Sequence, residues 1–102
     1  MAAEIKFGSY TGTGAAINIE LGWEPDAVFI VNATDKDAAW LWTSSMTDAH
    51  AANLATGAAL TSNGVTPYDA ADFTNPLGFT VGSTLSESAK VHDYIAIRTM
   101  ET

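Results

Sequence analysis

The run Gly8-Ser-Tyr-Thr-Gly-Thr-Gly14, continued by Ile17-Asn-Ile-Glu-Leu-Gly-Trp-Glu-Pro-Asp-Ala-Val-Phe-Ile-Val31, decides the fold. Its glycines punctuate a turn. Ile17, Ile19 and Leu21 then alternate with Asn18 and Glu20, the period-two pattern of a strand with one buried and one solvated face. Gly22-Trp-Glu-Pro-Asp26 supplies turn chemistry, because proline presets φ and has no N–H to give a ladder. Residues 27–31 are apolar on both parities, which predicts a central strand covered on each side.

Outward from this stretch the same grammar continues. Residues 5–10 predict a first strand with Ile5, Phe7 and Ser9 on one face, and the four residues before it are a free arm or an edge extension. Residues 32–37 form a polar turn. The next strand, 39–43, places Trp40 and Trp42 on one face and Leu41 on the other. Residues 48–54 have two readings: a short helix capped by Thr47-Asp48 and ended by Gly57, or an extended loop of small side chains. Ser62-Asn-Gly64 signals a tight turn between residues 58–61 and 65–68, and residues 69–76 read as a surface loop. Glycines frame a short strand at 78–82. A turn at 86–89 leads to the last long strand, 90–98, with Val91, Ile95 and Ile97 expected to face inward. Seven or eight short strands at this spacing predict an all-β fold: an antiparallel, jelly-roll-like β-sandwich in a single domain over 1–102, with a short N-terminal arm at 1–4.

Composition narrows the functional classes. A chain of 102 residues that is 47% hydrophobic is long enough for one core. Only 16% of residues are charged, so the surface is built largely from Thr, Ser, Asn, Ala and Gly, and covering it desolvates few charges. The net charge is −8, and Lys6, Lys36, Lys90 and Arg98 are scattered. Holding a phosphate backbone or an anionic membrane takes several cations on one face, so neither nucleic acid nor membrane is an expected partner. The absence of cysteine removes disulfides, zinc–thiolate sites and thiol catalysis. Residues 1–6 carry no apolar signal-peptide core, and production in the cytoplasm is expected.

No constellation of residues predicts an enzyme, and neither a metal nor another cofactor is expected. His92 and Asp93 are adjacent on a strand and point to opposite faces, while His50 stands two residues from Asp48 in the ambiguous segment. Both histidines read as surface or locally hydrogen-bonded. Asp35 and Asp37 lack the remaining ligands of a calcium loop. Glu20, Glu24 and Asp26 surround a turn with nothing to fix a catalytic separation, and Ser44-Ser45 lacks the glycines of a nucleophile elbow. Gly8, Gly12 and Gly14 precede a strand, whereas a phosphate loop must open a helix. Trp40 and Trp42 are expected together in the core, and Trp23, in a turn, is the better surface candidate.

Several pieces, in order, resemble the small β-modules of tailed-phage virions: Gly8-Ser-Tyr10 through Gly14, Ile19-Glu-Leu-Gly-Trp-Glu-Pro-Asp26, and the apolar 28–31. Thr61-Ser-Asn-Gly-Val-Thr66, Gly78-Phe-Thr-Val-Gly82 and the closing Tyr94-Ile-Ala-Ile-Arg98 continue the likeness. The chain has Trp23 where these modules usually have phenylalanine. The resemblance implies no catalytic residue. It implies a virion structural protein, either a decoration (cement) protein on the outside of the head or a tail-fibre or baseplate module that binds host glycan. A chain that starts at Met1 and ends four residues after its last strand is expected to be a free-standing decoration protein. Its expected partners are then the major capsid protein lattice and copies of itself, as a homotrimer on the particle. The candidate contact residues are the arm Met1, Ala2, Ala3 and Glu4, the loop residues Thr13, Phe73 and Asn75, and Trp23 as a glycan-stacking surface.

Overall fold

The structure is a computed structural model that describes residues 2–36, 38–68 and 77–100. Strands β1 (Ala2–Thr11), β2 (Ile17–Glu20), β3 (Ala27–Asn32), β4 (Ala39–Thr43), β5 (His50–Asn53), β6 (Ala59–Tyr68), β7 (Gly78–Val81) and β8 (Val91–Met100) join in one sheet. Their order is β1-β8-β3-β4-β5-β6-β7-β2, and every pairing is antiparallel. The described residues contain no α-helix, only a 3-10 turn at Ser83–Leu85. The all-β, antiparallel class expected from the sequence is therefore what the chain adopts.

The curl of the sheet follows from one short connection. β1 and β2 are consecutive in sequence yet lie at opposite edges. The link from Thr11 to Ile17 can reach roughly 20 Å when extended, whereas a flat eight-stranded sheet would hold its outer strands about 33 Å apart. The sheet bends into a half-barrel. The link crosses the segment before β8, where Gly12 N donates to the Lys90 carbonyl at 2.8 Å and Gly14 N to the Ser86 carbonyl at 2.7 Å. Thr13 N donates to Ser86 Oγ at 3.0 Å, which satisfies a fully buried hydroxyl.

The concave side holds the core: Val28 and Ile30 from β3, Trp42 from β4, Val65 from β6, Phe79 and Val81 from β7, Tyr94 and Ala96 from β8, and Leu85 from the 3-10 turn. Phe79 meets Tyr94 edge-on with ring centroids 5.4 Å apart. Leu21 and Trp23 close one end. Gly22, at φ 87°, turns the chain there in a conformation other side chains adopt poorly, and buried Pro25 follows.

Three local expectations change. Within residues 48–54 there is no helix, and the loop reading holds only for the turns at either end, since His50–Asn53 form β5 between β4 and β6. Alanine's helix preference is a weak prior, and one isolated turn makes too few hydrogen bonds to outweigh a two-sided ladder. Ser62-Asn-Gly64 is no hairpin turn but a bulge within β6: Ala51 pairs with Leu60 while its neighbour His50 pairs with Val65. On β8 the inward residues are His92, Tyr94 and Ala96, whereas Val91 and Ile95 face out. Both parities of β8 are apolar enough to be core. The register on β3, with Val28 opposite Ala96 and Ile30 opposite Tyr94, makes the choice. Before Ile5, Ala2, Ala3 and Glu4 are the edge extension, paired to Met100, Thr99 and Arg98.

Candidate functional site: an apolar outer face

The convex side of β1, β8, β3 and β4 carries apolar side chains in cross-strand rows. Phe7 lies opposite Ile95, Ile95 opposite Phe29, and Phe29 opposite Leu41. Ile5, Ile97 and Ala27 form the next row, and Asp93, Val31 and Ala39 the row on the other side. Phe7 is 68% exposed and Ile5 64%, and Phe29, Val31, Leu54, Val91 and Ile95 are each at least 38% exposed. Large apolar side chains that stand exposed side by side in adjoining rows make a contiguous patch, the kind of surface that marks an interaction site.

Within this face lies an open groove of about 190 Å³. Phe29 and Val31 floor it, Phe7 and Ile95 stand on one bank, and Leu54 and Trp40 on the other, with Asp93 the sole charged residue lining it among the described residues. The Asp93 carboxylate makes no side-chain hydrogen bond or ion pair with any described residue. Trp40 mainly packs inward, beside buried Trp42, whose Nε1 donates to the Thr47 carbonyl at 3.4 Å.

The sequence-derived candidates scatter around this face. Trp23 is not a surface residue: it is 5% exposed, in the core, with the Arg98 guanidinium 5.4 Å from its ring. The turn chemistry was read correctly, but Gly22 and Pro25 fold the indole back over the end of the half-barrel. Glu4 meets the same Arg98 through Nε at 3.0 Å and Nη2 at 2.8 Å, so the structure brings Glu4 and Trp23 together around one cation. Ala2 and Ala3 belong to β1, and Ala3 is exposed. Thr13 is exposed in the link at the far end of β1, its hydroxyl oxygen accepting from Ala15 N at 3.3 Å. Met1, Phe73 and Asn75 lie outside the described residues. The outer face itself was missed, although its signal was present: residues 27–31 and β8 are apolar on both parities, and the fold covers only one.

Several titratable groups near this face and at its ends have structural partners. His92 is buried, stacks on Tyr10 at 5.0 Å, and contacts the Lys90 carbonyl through Nδ1 at 3.1 Å. Burial pushes the Tyr10 phenol well above its ordinary range, and its hydroxyl donates to the Leu85 carbonyl at 2.7 Å. Tyr94 is shifted up for the same reason. Buried Asn32 accepts from Asp35 N at 2.9 Å and donates to Glu87 at 3.1 Å, while Asp35 pairs with Lys90 at 3.1 Å. This network staples the β3–β4 turn. Among the described residues no cluster of three or more His, Asp or Glu could hold a metal ion.

Comparison with protein-family models, with curated proteins and with solved structures finds no match.

Proposed function

We propose that the chain is a virion structural protein of the decoration type, docking on the outside of a capsid lattice through its outer face. The observation that carries this reading is the contiguous apolar surface on the convex side of β1, β8, β3 and β4, on a domain with little charge to desolvate. The resemblance to phage β-modules supplies the kind of assembly. On the particle the copies meet as trimers, and each adds a modest binding free energy that is multiplied over the lattice. In the finer description, a jelly-roll-like sandwich, the two arms of the curled sheet serve as the facing layers. Under the glycan-binding alternative Trp23 is the first candidate for stacking on a sugar, and it is buried.

The test is occupancy on particles. Phe7→Glu places a charge at the most exposed large apolar position among the described residues. It is expected to empty the binding sites on purified virions while the isolated domain keeps its thermal transition. Particles lacking the protein should then lose DNA more readily on heating and adsorb to cells normally. Heat-stable particles that fail to attach would make the protein a host-binding tail module instead.

A further inference from the structure

The groove on the outer face is sized and charged for one kind of contact. An apolar cavity of about 150 Å³ accepts a benzene ring, and this groove offers about 190 Å³, flanked by Phe7 and Phe29. Such rings favour an incoming aromatic in offset or edge-on geometry. Asp93 stands on the bank without a described partner. A carboxylate in an apolar surround costs stability when covered, unless the covering surface brings a cation.

The strands of this face in a second copy do not bring one. The cations of β1 and β8, Lys6 and Arg98, lie on the opposite parity of their strands, across from Ala96 and Glu4. A symmetric face-to-face pair centred on the groove would set two Asp93 carboxylates against each other, on chains that each carry −8. Charge complementarity therefore selects a different protein.

We propose that the groove receives a single aromatic side chain from a protein partner, with a lysine or arginine beside it that pairs with Asp93. The inference rests on the docking role of the outer face and names the anchor within it. Buried aromatics ringed by weaker contacts are the residues that dominate protein interfaces.

Amide NMR titrations of the isolated domain test this with three probes: phenethylammonium (ring and cation), phenylacetate (ring and anion) and n-butylammonium (cation alone). Phenethylammonium should give saturable shifts at Phe29, Val31, Ala39, Leu54 and Asp93, and bind roughly two- to five-fold tighter than phenylacetate, the size of a partly exposed ion pair. Asp93→Asn should abolish that preference but keep ring binding, and Leu54→Asp should weaken ring binding. n-Butylammonium should not saturate. Equal binding of the two ring compounds, saturation elsewhere on the surface, or no saturation by either overturns the proposal. So does a concentration-dependent dimer in sedimentation that protects these amides, which would give the face to a second copy. The outcomes separate from those on virions. Loss of occupancy in Phe7→Glu without ring binding keeps the docking role and removes the anchor. Ring binding with full occupancy keeps the groove and removes the capsid lattice as its partner.

Discussion

Phe7 and Trp42 are both large aromatics on strands, yet one is 68% and the other 2% exposed. Truncating them should have opposite consequences. Trp42→Ala opens a cavity in the core and is expected to cost about 3–5 kcal/mol in urea unfolding. Phe7→Ser should change stability by less than ~0.5 kcal/mol, because little packing is lost. A second residue-scale prediction concerns Asp26. Its carboxylate accepts from the backbone N–H of Thr99 and then from the Thr99 hydroxyl, both at 2.7 Å, and these bonds hold its pKa below the usual carboxylate range, with Arg98 adding to the effect. The unfolded chain titrates at the ordinary value, so the contribution is fully present above that range and is lost as pH falls through the lowered folded value. Asp26→Asn should lower the urea midpoint at about pH 7 and flatten the acid limb, the two profiles converging at low pH.

The β5–β6 pair is where local sequence signals misled. Ser62-Asn-Gly64 has the residues of a tight turn, and Asn63 does take a positive φ of 59°, but the excursion is absorbed inside one strand. Gly64 is needed there for space: a methyl group at its Cα would stand 2.5 Å from the His50 carbonyl oxygen. Because that neighbour is backbone and cannot swing away, Gly64→Ala should cost roughly 1–3 kcal/mol. Amide exchange at His50 and Val65 should rise more than at β8, which checks that the damage is local. Elsewhere the strands were legible: residues 17–20, 27–31, 39–43 and 91–98 lie in strands, because alternation and turn residues agreed. Which face of a doubly apolar strand turns inward was not legible. On β8 it depends on residues of β3 some sixty positions away, a pairing that period-two reading of one segment does not contain. The outer face was hidden for the same reason, since a strand that could be covered on both sides reads the same as one that is.

At the scale of the molecule, one curled sheet does two jobs. Its concave side makes the core and its convex side stays apolar and open. That division predicts a domain whose solubility, more than its stability, depends on the outer face. Phe7→Ser combined with Ile5→Ser should leave the thermal midpoint nearly unchanged and delay concentration-dependent light scattering on heating. The strand order has a further consequence, in the time domain of synthesis. β1 leaves the ribosome first, but the partner that registers with all ten of its residues, β8, is made last. Until then β1 has no ladder, and β3 has only one neighbour. Chains stalled before residue 90 should therefore be cut rapidly by protease between residues 2 and 11. Chains released through residue 100 should become resistant there in a single step. The closing strand acts as a check on synthesis, because a chain that lacks β8 leaves β1 unprotected.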